Sequence, residues 1–318
     1  MPIRCSPKTP VKTCKYFKMQ NFAPIALFVY NRPQHTERTI KFLQQNEVAP
    51  ESRLFIFSDG PKSPADEDKV QEVRDFLKTI EGFKSVEIIQ RKENAGLANS
   101  VIAGVTQLIN DYKQVIVLED DLVTSPHTLT YFNEALNRYR YEHKVMHIGA
   151  YMYPLATPNL PESFFYRAAT SWGWATWERA WKQFEPDIDV LIPQFDAKMI
   201  HDFSIDKTMN FWKQMQDFKK GKNNSWAIRW YASIFLKGGL TLNPSHSLVN
   251  NIGHDGTGVH SCVNDIYNVI INPRPIRQFP ATIKEHPVAY QAIKKFLANR
   301  KGTYWARLVR FIKGKFSS

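Results

Sequence analysis

The chain has 318 residues, of which 43% are apolar, 13% aromatic and 23% charged. That composition builds one large or two smaller folded domains and excludes a disordered chain, a collagen-like repeat and a disulfide mini-protein. The formal charge of +12 sits at the ends: residues 1–20 hold five Lys or Arg and residues 291–318 hold eight, with no acid in either stretch, which leaves the body at −1.

A nucleic-acid-binding fold carries its basic footprint within the folded domain, so the charge distribution argues against nucleic acid and for basic extensions that meet an anionic surface. Cys5, Cys14 and Cys262 are an odd number without a C-x-x-C spacing. They suit a reducing compartment and offer neither a disulfide framework nor a zinc site. No apolar run approaches the roughly 18 residues of a membrane span, and no apolar stretch of signal-peptide type follows the basic N-terminus. The expected location is the cytoplasm, with the basic ends able to hold the protein on the inner face of the cell membrane.

The body opens with Pro24 to Tyr30, a continuous apolar run of the kind that forms a parallel strand covered on both faces. Thr36 to Gln45 is predicted as a helix and Arg53 to Ser58 as a second strand. Ser63 as N-cap, Pro64 in the first turn and Asp66 three residues on mark the start of the next helix, with Val70, Val73, Leu77 and Ile80 as its apolar stripe. Val86 to Gln90 reads as strand, Leu97 to Ile109 as helix and Gln114 to Glu119 as strand. Four strands separated by three helices imply an open, mostly parallel α/β sheet whose ligands bind beyond the carboxyl ends of the strands. After about Tyr151 the pattern becomes Trp-rich and Pro-punctuated and is read as packed on the same sheet. At the C-terminus, Trp305, Leu308, Val309, Ile312 and Phe316 share one helical face, with Arg307, Arg310 and Lys313 largely opposite, the design of an interfacial helix or of an ordinary docked one.

The segment VIVLEDD, Val115 to Asp121, delivers three adjacent carboxylates to a strand end. Adjacent negative charges repel, and a hard divalent cation such as Mn²⁺ or Mg²⁺ bridging to a diphosphate relieves them; a solvated acidic loop is the alternative. An ATPase is rejected because Gly60-Pro61-Lys62-Ser63 lacks the upstream Gly of a phosphate-binding loop, and no complete dinucleotide fingerprint exists. Asn31-Arg32-Pro33 and Ser58-Asp59-Gly60-Pro61 close the first two strands. Arg32 offers a phosphate or base contact and Asp59 a hydrogen-bond acceptor for a base or ribose. Asn94-Ala95-Gly96-Leu97 opens a helix as an anion or sugar contact or as a plain cap.

Together PIALFVYNRP, SDGPK, NAGLA, VIVLEDDLVTSP and SWGWATW, between about Pro24 and His260, resemble the nucleotide-sugar glycosyltransferases of the GT-A fold. The resemblance is to the bacterial surface-polysaccharide type and, more distantly, to the animal N-acetylglucosaminyltransferase I. It implies a GT-A-like α/β fold with a Rossmann-like nucleotide-binding half. Arg32 and Asp59, with Asn31 and Asn94 beside them, would hold the nucleotide of a nucleoside diphosphate sugar, most simply a UDP-sugar. Glu119 and Asp120 would contact its sugar and ribose side, and Asp121 would hold the metal. Trp172, Trp174 and Trp226 would wall the pocket for the sugar and a glycan or lipid-linked acceptor. The domains implied are a basic extension over 1–22, a nucleotide-sugar half over 23–150, an acceptor half over 151–290 and a basic amphipathic helix over 291–318.

The animal enzyme's base is the aspartate of a Trp-Asp pair, and the matching position here is Trp226-Ala227. The hexosyl or N-acetylhexosaminyl transfer, with inversion, then needs another base: Asp255 first, Glu178 second, with a loop-holding role the alternative for either. His260, ahead of His254, would complete the metal shell. The competing reading is a non-catalytic nucleotide-binding scaffold of a polysaccharide-assembly complex that kept the fold and lost the base.

Overall fold

The computed structural model describes residues 22–253 and 265–300. Strand β1 (Ile25–Val29) is buried at all five positions. It pairs in parallel on both sides, and a strand without a solvent face has no reason to alternate. Helix α1 (Pro33–Gln44) starts three residues before the predicted position, because Pro33 presets the helical φ and lacks only an N–H that the first turn would leave unbonded anyway. There follow β2 (Arg53–Ser58), α2 (Glu67–Leu77), β3 (Ser85–Gln90), α3 (Leu97–Tyr112) and β4 (Gln114–Glu119).

The predicted Ser63 cap takes a different form. Its hydroxyl donates to the Asp66 carboxylate at 2.9 Å, and the chain makes a single 3-10 turn, Pro64–Asp66, before α2 begins. Val70, Val73 and Leu77 form the buried stripe as predicted. Helix α3 outruns its predicted end and stops where Lys113 turns left-handed, its N–H closing on the Ile109 carbonyl at 2.9 Å.

The chain continues through β5 (Leu122–Thr124), α4 (Thr128–Arg138), β6 (Val145–Gly149), β7 (Ser163–Tyr166), β8 (Trp174–Trp177), α5 (Glu178–Trp181), α6 (Ile188–Leu191), α7 (Ala197–Phe203), α8 (Phe211–Lys219), α9 (Trp226–Leu236), β9 (Leu240–Pro244), β10 (Val249–Asn251) and α10 (Pro287–Asn299). Eight strands form one mostly parallel sheet in the order β3-β2-β1-β4-β8-β6-β9-β7, and β5 pairs with β10 in a separate ribbon. Strands β3, β2, β1 and β4 are mutually parallel, whereas β8 runs antiparallel to both β4 and β6. This is the open, mostly parallel α/β sheet flanked by helices that the resemblance to the GT-A fold implied.

Side chains of β1 divide by parity, as a strand requires. Ile25, Leu27 and Val29 join the core beneath α1 and α4, while Ala26 and Phe28 join the opposite core beneath α3 and α9. That second core explains the Trp-rich stretch. Trp174 has no exposed surface and stacks on Trp226 with ring centroids 5.2 Å apart, and Trp181 meets Trp230 at 5.1 Å. Trp174 and Trp226, predicted to wall a sugar pocket, are therefore core residues. Large aromatic side chains are more often buried in a core than set out on a binding face. Among the described residues no helix is long and apolar enough to cross a membrane.

Candidate active site

Because β1, β2 and β4 are parallel, Val29, Ser58 and Glu119 leave the sheet on one edge. The chain then turns so that Glu119, Asp120 and Asp121 stay there. The Tyr30 amide donates to Asp120 Oδ2 at 3.2 Å, and the Thr39 hydroxyl of α1 donates to the Asp120 carbonyl at 2.8 Å. The ribbon completes the site from far along the chain. Asn251 Nδ2 donates to Asp121 Oδ1 at 3.1 Å, the Ile252 amide donates to the Asp121 carbonyl at 2.8 Å, and Arg32 Nη1 reaches Asp121 Oδ2 at 3.1 Å. Gly253 admits this closure, since a Cβ there would collide with the Asp121 carboxylate.

Burial, with repulsion from Asp121 next, pushes the Asp120 carboxyl up to about 7 and the Glu119 carboxyl well above the carboxylate range. Three carboxyls thus crowd this strand end, with the Arg32 guanidinium against Asp121. The donors are all oxygens, the set that suits a hard divalent cation, so these residues fit Mn²⁺ or Mg²⁺ with Asp121 as its holder. A second group, His201, Asp202 and Asp206, has its ligand atoms within 4.8 Å of one another. Its carboxylates are already paired with Lys198 at 2.6 Å and Lys294 at 2.7 Å.

Asp59 lies at the same edge in a role that the sequence did not disclose. Its carboxylate accepts from the amides of Gly60 at 3.0 Å, Ala95 at 2.9 Å and Gly96 at 2.9 Å, pinning the NAGLA loop to the end of β2. A carboxylate has about four acceptor sites, so about one is left for a ligand. Asn94 donates to the Gly60 carbonyl at 2.8 Å and Asn31 to Asp66 at 2.8 Å, so these amides also brace the edge. Gly60 is required where it stands: a Cβ would lie 2.5 Å from the Glu93 carbonyl carbon.

A cavity of about 350 Å³ opens beside the acids, with Tyr151, Trp172, Phe211, Ala227 and Tyr267 among its walls. Its place follows from register. In the antiparallel pair Trp174 lies opposite Val117, so the residues before Trp174 run beside the carboxyl end of β4. Trp172, expected to wall the sugar pocket, lines this cavity, and Ala227, where the resemblance expected a base, stands in the same wall.

Glu178 does not meet the site. It follows Trp177, which pairs with Gln114 at the opposite end of β4, and it is bound to Lys113 at 3.0 Å and Lys182 at 3.1 Å. A six-residue strand puts it about 16 Å from Glu119, which removes it as a base. Asp255, His254 and His260 lie outside the described residues. The sequence reading missed Asn251 and the cavity's Phe211 and Tyr267, because only long-range pairing of β10 with β5 and packing of the helices bring them here.

Residues 25–179 match the family model described as Glycosyl transferase family 2. No curated protein matches the chain. Among solved structures it is similar to the mannosyltransferase PcManGT from Pyrobaculum calidifontis in complex with GDP-Man and Mn²⁺, at 10% identity and a TM-score of 0.38 over 68% of this chain and 70% of that one. It is similar to GalNAc-T7 with UDP, GalNAc and Mn²⁺ at 10% identity and a TM-score of 0.44, over 73% of this chain and 44% of that one. A third is S. aureus TarS, at 16% identity and a TM-score of 0.31 over 46% and 24%. This chain thus spans less than half the length of the latter two. Residues 25–179, just under half of the chain, thus match glycosyl transferase family 2, and this matched segment holds the strand ends that gather Arg32, Asp59 and the Glu119 to Asp121 acids.

Proposed function

We propose that the protein is a metal-dependent glycosyltransferase that moves a sugar from a nucleoside diphosphate donor, most simply a UDP-sugar, to a glycan or lipid-linked acceptor in cell-surface polysaccharide synthesis. The observation that carries this reading is the gathering of three half-buried carboxyls, Glu119, Asp120 and Asp121, at the end of β4, with Arg32 from the β1 edge against Asp121. Asp121, with Asp120 beside it, would hold the cation, which supplies charge neutralisation for a leaving diphosphate. Arg32 is placed to bind phosphate oxygens, the loop pinned by Asp59 orients the nucleotide end, and Trp172 borders the acceptor side. Asp255, with His260 as a further metal ligand, remains the proposed base for an inverting transfer.

The test is nucleotide release from a panel of nucleoside diphosphate sugars, with Mn²⁺ and in excess chelator. Turnover with metal, its loss in chelator and its abolition in Asp121→Ala support the reading; full activity in chelator overturns the metal's part. One observation favours a scaffold that binds nucleotide without turnover: Ala227 stands where a base was expected, and the described cavity walls include no carboxylate or imidazole. Tight, metal-dependent nucleotide binding with no turnover of any donor would establish that second reading.

A further inference from the structure

We propose that the cavity beside the acids seats the terminal sugar of the acceptor and selects a neutral pyranose ring over an anionic one; this rests on the glycosyltransferase reading. At about 350 Å³ the cavity is at the lower end of ligand-pocket size, suited to one ring rather than a chain. Its walls combine flat aromatic faces, Trp172, Tyr151 and Phe211 among them, with the neutral hydrogen-bonding groups of Ser171 and Gln214. A pyranose has the matching chemistry: an apolar C–H face that lies on the negative face of an aromatic ring, and a rim of hydroxyls.

None of the described wall residues is Asp, Glu, Lys, Arg or His. Burial also holds the Tyr151 and Tyr153 phenols above their ordinary range, so they stay neutral. A carboxylate on the sugar would lose its hydration here without gaining a cation among the described wall residues. Met209, Phe211, Gln214, Ser225 and Ala227 lie beyond residue 179, where the family match ends, so this part of the wall belongs to the chain's own second half. Trp172 runs beside the end of β4, so a hydroxyl of the seated sugar faces the acid edge.

The test uses the full chain, free of donor, titrated with methyl glucoside, methyl galactoside and methyl N-acetylglucosaminide against methyl glucuronide, followed by ligand-observed NMR. At least one neutral glycoside should bind ten times or more tighter than the glucuronide, and Trp172→Ala should weaken it at least tenfold. Gln214 is on a partly exposed face of α8, so Gln214→Lys adds a cation without disturbing the packing around Trp172. It should narrow the preference against the glucuronide at least tenfold. No binding by any glycoside, equal binding of the glucuronide, or neutral binding unmoved by both variants overturns the proposal. UDP titrated with Mn²⁺ is the separate arm. UDP binding that Asp121→Ala abolishes and Trp172→Ala spares keeps the donor reading when the sugar arm fails, whereas sugar binding without UDP binding overturns the transferase reading alone.

Discussion

Asp59 carries two tasks on one carboxylate. Deleting it leaves the buried amide of Gly60 and the half-buried amides of Ala95 and Gly96 without their acceptor, and such a loss costs about 1 to 3 kcal/mol for the groups that water cannot reach. Asp59→Ala should therefore lower stability by about 2 kcal/mol and weaken nucleotide binding together, as read by urea denaturation and UDP titration. Unchanged stability would mean that the loop is held by other bonds. His147 offers a pH test. It is fully buried, accepts from Trp230 Nε1 at its Nδ1 at 3.1 Å, contacts the Thr170 carbonyl through Nε2 at 3.0 Å and stacks on Trp174. These contacts hold the neutral Nε2–H form. Burial drives its pKa from 6.5 to about 3, so between those values the unfolded chain binds a proton that the folded chain refuses. Stability should fall as pH is lowered through that window and be insensitive to this group above it. His147→Gln should give a shallower fall of Tm between pH 6.5 and 4.5, and identical slopes in melts of the two proteins would exclude His147 as a source. Glu178→Gln should leave turnover unchanged, because its carboxylate lies at the far end of β4.

At the scale of elements, the Trp cluster between the sheet and α9 is what attaches the second half to the first. Trp174→Ala removes a fully buried ring that touches Trp226, Trp181 and His147. Large-to-small changes at such aromatic positions cost about 3 to 5 kcal/mol. A loss well under 1 kcal/mol in chemical denaturation would show the cluster to be loosely packed. The β5–β10 ribbon has the opposite character, with few residues and a positioning task. Asn251 accepts the Gly253 amide at 2.8 Å while donating to Asp121, so it sets the carboxylate's orientation. Partners of this kind typically account for 10 to 100-fold in metal affinity. Asn251→Ala should weaken Mn²⁺ binding, measured by calorimetry with UDP present, by that factor with only a small change in Tm; unchanged affinity would assign Asn251 to loop structure alone.

For the whole molecule, the charge at the two ends is the property to test. The amphipathic face predicted for Trp305 to Phe316 lies outside the described residues. Its pattern, with about 1 kcal/mol per basic residue near an anionic bilayer, predicts that the full chain binds anionic vesicles in low salt and that a chain ending at Asn299 does not. Equal co-sedimentation of the two would return that stretch to an ordinary docking role.

Much of the fold could be read from residues alone, for local reasons. Continuous apolar runs such as IALFV mark central parallel strands because a strand with no solvent face needs no alternation. Turn residues and acids at strand ends mark the ligand edge because parallel strands deliver them to one side. Arg32 and Asp121 meet at that edge for this reason. What the tertiary structure decided is which neighbours those residues meet. Trp174 and Trp226 share their type with Trp172, yet the antiparallel register of β8 and the packing of α9 turn them into the core. Glu178 follows the same strand as Trp172 but leaves from its opposite end. Asn251, Phe211 and Gln214 reach the acid edge across long stretches of chain. Periodicity in a sequence reports burial along one element; contact between elements depends on register and packing, which no local pattern records.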